Sequence, residues 1–157
     1  MTVRRAGLAA LALLAVIFGY NLYSAASGFV TAYDTYDRLE MRLARFNYTN
    51  PNAPIDIGFE IANPTGETVQ VTTIEVFVDA GVHRVGGGTL TPRQRFEPNY
   101  REIFAIDGNI DDTDYVTRLN GQQITWGVSG RVLVQLHAGL DPVWIPFAGS
   151  YVSEPGS

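Results

Sequence analysis

The side chains able to do chemistry are few in this 157-residue chain: two histidines, His83 and His137, and no cysteine at all. Without cysteine there is no disulfide scaffold, no thiolate metal site, no cysteine nucleophile and no thiol for a lipid anchor. The two histidines fall on different expected elements, which suits ordinary surface positions better than a shared site. A serine nucleophile on a strained elbow needs Gly-x-Ser-x-Gly, which is absent, and so are H-E-x-x-H, the P-loop and the dinucleotide fingerprint. Gly86-Gly87-Gly88 lacks the lysine and the following helix of a phosphate cradle, so a bent strand is the expectation there.

Two segments carry more specific patterns. Asp107, Asn109 and Asp111 occupy alternate positions, as oxygen ligands do at the start of a calcium loop. The pattern then breaks, with Asp112 at the glycine position and Arg118 where a bidentate Glu belongs, so a solvated acidic turn and helix cap is the expected role. Asn47-Tyr48-Thr49 is an N-glycosylation sequon, meaningful only in a compartment that glycosylates. Asp56, Glu60 and Glu75 sit on strand faces, where acids keep a sheet wet and discourage edge pairing. Acid–base catalysis needs a cleft and raised pKa values, for which nothing here argues. The expectation is a non-catalytic protein with no cofactor, no metal and no small-molecule substrate.

The elements that would position these residues are strands. Ile55, Ile57, Phe59 and Ile61 alternate with Asp56, Gly58, Glu60 and Ala62, ending at the turn cluster Asn63-Pro64-Thr65-Gly66. Val69 and Val71 open a strand that Ile74, Val76 and Val78 continue in the opposite phase, so a bulge or change of sheet is expected near Thr72-Thr73. Ile124 to Leu136 alternates for thirteen residues, with Trp126, Val128, Gly130, Val132 and Val134 on one face. It reads as a hairpin with Val143, Ile145 and Phe147. Leu39–Phe46 and Arg101–Ile106 are further strands. Asp111 to Leu119 is the one helical segment of the body, with Asp111 or Asp112 as cap. Six or seven short strands with turn signals about every ten residues predict an all-β fold, a β-sandwich of the immunoglobulin or fibronectin III sort.

Ahead of the body lies a different composition. Residues 6 to 33 carry no charged side chain, whereas the 124 residues after them hold nine arginines and sixteen acids, a formal −7. The expected divisions are residues 1–5 on the cytoplasmic side, 6–30 a transmembrane anchor, 31–37 a linker, 38–153 the sandwich and 154–157 a tail. A short apolar run before the small residues Ser24–Gly28 also fits a cleaved signal peptide. Phe29, Val30 and the tyrosines at 20, 23 and 33 extend the segment and favour the anchor. Arg4 and Arg5 precede it and Asp34 and Asp37 follow it, so the body is expected outside the cytoplasm. An acidic body makes nucleic acid an unsuitable partner; membrane lipid around the helix and proteins of the cell envelope are the partners expected.

Taken in order, these features resemble a known family. An N-terminal membrane segment precedes a strand ending in Asn63-Pro64; a glycine, Gly88, opens a short apolar strand; Trp126 and Gly130 lie in a late strand; and Pro146 interrupts the last one. The layout is similar to the late embryogenesis abundant (LEA) type 2 family, the water stress and hypersensitive response (WHy) domain, over about residues 38 to 152. The segment Thr91–Glu102 is richer in charge and aromatics than that pattern. The resemblance implies a seven-stranded β-sandwich with no catalytic residues, Asn63 closing a turn, Pro64 ending a ladder, and a part in desiccation, osmotic or salt tolerance. The alternative is a structural accessory subunit of a cell-envelope or archaeal surface-filament complex, with exposed edges or Tyr33, Tyr36 and Tyr48 making the contact.

Overall fold

Period-two alternation is realised along almost every expected strand of the body. The computed structural model describes residues 2–136 and 140–153, with side chains placed for 13–136 and 140–152. The chain forms two compact units, Met1–Asp37 and Arg38–Ser157. The first is the helix α1 (Thr2–Arg38), so the stretch 31–37 expected as a linker is helical. Its residues Leu13–Arg38 have the length and apolar composition of a membrane span or a signal sequence. Leu13, Phe18, Leu22 and Phe29 are all exposed.

The body contains β1 (Glu40–Asn47), β2 (Ile55–Ala62), β3 (Val69–Ala80), β4 (His83–Leu90), β5 (Gln94–Phe96), β6 (Arg101–Ile110), α2 (Thr113–Arg118), β7 (Ile124–Gln135) and β8 (Val143–Ser153). That is eight strands rather than the expected seven. The extra one is the three-residue β5, which pairs with Val69–Val71 at the start of β3. It is too short to show alternation, so its sequence gives no period to read. All pairings are antiparallel, along a path β1-β2-β6-β4-β3-β7-β8. The phase change in β3 is a register shift between Val71 and Thr73 against β7, as the apolar pattern requires.

β6 joins the two halves of this path. Arg101–Gly108 pairs with β2, and then Asn109 and Ile110 pair with Gly87 and Gly86 of β4. The glycine run permits this crossing. A Cβ on Gly86 would stand 2.0 Å from the Asn109 carbonyl oxygen, and one on Gly87 2.2 Å from that of Val76.

The core lies between the two halves. Ile55, Ile57, Phe59 and Ile61 of β2 face Val69, Val71, Ile74, Val76, Trp126, Val128, Val132 and Val134, all essentially inaccessible to solvent. Phe59 stacks on Phe147 of β8 with ring centroids 3.8 Å apart, and Phe46 of β1 tilts against Trp126 at 5.5 Å. The end strands β1 and β8 also approach each other. Phe46 meets Tyr151 at 5.5 Å, and a Cβ on Gly149 would come within 3.0 Å of Leu43 Cβ. Among the described residues no ladder joins β1 to β8, so side chains close this seam and the barrel is nearly complete.

Candidate functional site

The densest polar arrangement surrounds Asn63. β2 ends one residue earlier and Pro64 removes the next donor, so the backbone there cannot continue the ladder. Instead Asn63 N–H donates to the Tyr100 carbonyl and the Asn63 carbonyl accepts from Asn99 N–H, both at 2.8 Å. The side chain is fully buried. Its Nδ2 donates to the carbonyls of Glu67 at 2.7 Å and of Phe96 and Glu97 at 3.2 Å. Its Oδ1 accepts from the Thr65 hydroxyl at 2.6 Å and from Thr65 N–H at 3.2 Å. A short amide with donors on one arm and an acceptor on the other matches this setting, which no other side chain of that size would. Asn63 thereby fastens the 63–67 turn to the segment 96–100, where Asn99 adopts a left-handed φ of 62°.

Two open clefts flank this hub. One, of about 240 Å³, is lined by Glu40, Ala62, Asn63, Pro64, Asn99, Tyr100 and Arg101. The other, of about 430 Å³, runs along the outer side of β5, β3 and β7 past Glu67, Thr68, Gln70, Arg95 and Gln135. Neither wall contains a histidine, serine or cysteine, and neither offers a nucleophile beside a base. The Tyr100 hydroxyl donates to Glu102 Oε2 at 2.7 Å, and Gln94 Nε2 donates to the same oxygen. That contact with an anionic acceptor raises the Tyr100 pKa, so the phenol stays protonated.

Across the sheets, most charged side chains are paired. Glu60, with only 11% of its side chain exposed, holds Arg42 at 2.8 Å and Arg101 at 3.4 Å. The Arg42 hydrogen bond keeps the Glu60 pKa low, and Glu60 raises that of Arg42. Arg45 pairs with Asp56 at 2.8 Å. On the outer side of β3, Glu75 holds Arg131, whose guanidinium lies over Trp144, and Asp79 holds Arg84 over Phe77. Such pairs bind guanidinium planes to aromatic faces and leave little uncompensated charge on the sheet.

The acidic segment 107–114 does not form a loop. Asp107 and Asn109 lie in β6, paired with Asp56 and Gly87, so the alternating oxygens follow the pleat of a strand. Asp112 is the cap of α2, accepting from Tyr115 N–H at 2.9 Å while its other oxygen stands 3.0 Å from His83 Nε2. Among the described residues no group of three His, Asp or Glu is arranged to hold a metal. His137 lies outside the described residues.

The Tyr115 amide, then the His83 contact, holds the Asp112 pKa below its ordinary 3.8. A depressed carboxylate contributes stability above its unfolded-state pKa and loses that contribution as pH falls through the folded value. Glu60 acts in the same direction. Melting temperature is therefore expected to hold steady from neutral pH to about pH 4 and to fall below it. The double variant Asp112→Asn, Glu60→Gln should flatten that acid limb, and an unchanged limb would refute the assignment.

The residues singled out by the sequence do not converge on one site. Gly88 and Gly130 both oppose Val76, one on each side of β3, and Pro146 opposes Arg131 next to Gly130, so these three share one band across β4, β3, β7 and β8. Trp126 sits further along β7, opposite Ala80 and Tyr151. Asn63 and Pro64 stand apart at the end of β2. Thr65, Asn99 and the carbonyls of residues 96–97 were not legible as hub partners. Pro98-Asn99 was the one available hint, since asparagine after proline tolerates a left-handed turn.

No family model matches the chain, and no curated protein does. Solved structures do share the fold. The solution structure of AT1g01470 from Arabidopsis thaliana is 8% identical with a TM-score of 0.55, covering 73% of this chain and 77% of that one. The solution structure described as a late embryogenesis abundant (LEA) protein, At2g46140.1, is 11% identical with a TM-score of 0.50, covering 90% and 86%. A crystal structure of a protein from Archaeoglobus fulgidus is 10% identical with a TM-score of 0.48, covering 74% and 95%.

Proposed function

We propose that this chain is a membrane-anchored, non-catalytic protective module of the LEA type 2 (WHy) kind, acting in desiccation, osmotic or salt stress. The observation that carries the reading is the fold it shares with the LEA protein At2g46140.1, on a body most of whose arginines are held in ion pairs. The immunoglobulin-like sandwich and the placement of the body outside the cytoplasm belong to the same proposal. The latter rests on Arg4 and Arg5 before the apolar helix and Asp34 and Asp37 near its end.

The physical role would be that of a spacer. A body carrying a formal −7 repels like-charged neighbours, and that repulsion opposes contact as water is withdrawn and surfaces crowd together. Internal ion pairs keep Arg42, Arg45, Arg84, Arg95, Arg101 and Arg131 from bridging to those neighbours. Deleting the gene and comparing survival after drying and after salt shock tests the reading. Survival should fall and return when the full chain is restored. Unchanged survival, together with a stoichiometric partner in a mild-detergent pull-down, would instead establish the accessory-subunit role.

A further inference from the structure

We infer that Asn47 is an N-glycan acceptor, so that the folded body carries one oligosaccharide at the end of its edge strand β1. Of the chain's eight asparagines, Asn47 is the one that heads Asn-x-Ser/Thr with x other than proline. Asn63-Pro64-Thr65 has the same outline, but proline occupies its middle position and Asn63 is fully buried with both arms of its amide bonded.

The geometry at Asn47 is the opposite of that at Asn63. Phe46 and Tyr48 both pack on Trp126, with centroids 5.5 and 4.6 Å away, so they share the inward side of the chain. Residues on either side of an inward residue in extended backbone point outward. Asn47 and Thr49 are accordingly both exposed, and neither side chain makes a hydrogen bond among the described residues. The middle residue of the sequon is thus anchored in the core while the acceptor amide and the hydroxyl stand free in solvent. Asn47 is the last residue of β1, opposite Asp56 of β2, and the next strand begins only at Ile55, so the exposed acceptor lies where the ladder stops.

The chemistry is a glycosyl transfer from a lipid-phosphate-linked oligosaccharide, catalysed by a membrane transferase. Asn47 Nδ2 forms a bond to the anomeric carbon of the first sugar and loses one proton. The bond from that carbon to the phosphate oxygen breaks, and the lipid phosphate leaves with the electron pair; nothing is oxidised or reduced. The inference rests on the extracytoplasmic placement of the body proposed above, because the donor lipid presents its sugar on that side of the membrane.

The test expresses the full chain in a eukaryotic secretory host and reads intact mass. The wild type should gain the mass of one glycan. Asn47→Gln and Thr49→Ala should abolish the gain, and Thr49→Ser should keep it. A Gln122→Thr variant supplies the control, since it turns the exposed turn at Asn120-Gly121 into a second sequon. If that variant is modified at Asn120 alone, the Asn47 assignment falls while the topology stands. If neither position is modified, the topology fails and the assignment with it.

Discussion

Replacing Asn63 by alanine should lower the unfolding free energy of the body by about 3–4 kcal/mol, from the accumulated cost of leaving buried donors and acceptors unmade. The truncation strips the Glu67, Phe96 and Glu97 carbonyls and the Thr65 N–H and hydroxyl of their shared partner. Only part of the full penalty is expected, because the Glu67 and Glu97 carbonyls are partly accessible and water can replace the amide there. Asn63→Asp separates loss of packing from loss of donors, since it keeps the shape and the Oδ1 acceptor. It also aims a second carboxylate oxygen at three carbonyls. The buried aspartate would hold its proton more tightly than in the unfolded chain, so its penalty is full at neutral pH and shrinks on acidification. Urea denaturation of the full chain in detergent at pH 7 and pH 5 reads both effects. Equal midpoints for wild type and Asn63→Ala would show that the hub adds nothing to stability.

The second large effect is expected at Gly130. A Cβ there would stand 2.1 Å from the Glu75 carbonyl oxygen and 2.5 Å from Cζ of Phe147. The oxygen belongs to the neighbouring strand and cannot rotate away, and the Phe147 ring is held by its stacking on Phe59. Gly130→Ala must therefore displace either the β3–β7 ladder or the ring that bridges the two halves of the core. Overpacking of that kind costs about 2–3 kcal/mol, a fall in melting temperature of roughly 10 °C for a body of this size. Gly127→Ala is the matched comparison three residues earlier on the same strand. Its Cβ would meet Asp79 side-chain atoms at 3.5 Å or more, an ordinary contact, so its melting temperature should stay close to that of the wild type. Similar losses in both variants would mean that strand β7 resists any side chain at a glycine, and that Phe147 is not the cause.

These two positions also mark where sequence reading worked and where it stopped. Alternation along Ile55–Ile61 and Ile124–Leu136 located the long strands because each has one face in the core, and the phase change at Thr72-Thr73 located the bulge for the same reason. Asn63-Pro64 could be recognised as the end of a strand. What Asn63 binds could not, since Phe96 and Glu97 lie more than thirty residues away and are carried there by β5. The calcium-like spacing of Asp107, Asn109 and Asp111, already broken in the sequence by Asp112 and Arg118, has a simple origin. Alternate acids occur wherever one side of a strand faces water, and two of these three belong to β6. Gly130 was visible only as a member of a family-like motif, and its reason appears once Phe147 is seen across from it.

The near-closed barrel has a mechanical consequence. The helix α1 leads into β1, and among the described residues the one ladder that holds β1 is that to β2, because the seam with β8 is made by side chains. Tension applied through α1 would therefore fall first on the Glu40–Ala62 end of that ladder, and its hydrogen bonds would be loaded one after another instead of together. The Arg42–Glu60 and Arg45–Asp56 pairs, which span the same two strands, act as successive catches along the line of peeling. The inner strands β3 and β7, paired on both sides, carry none of that load until β1 has come away. The α1 end of the body is thus its mechanical fuse, with β1 the strand that gives first.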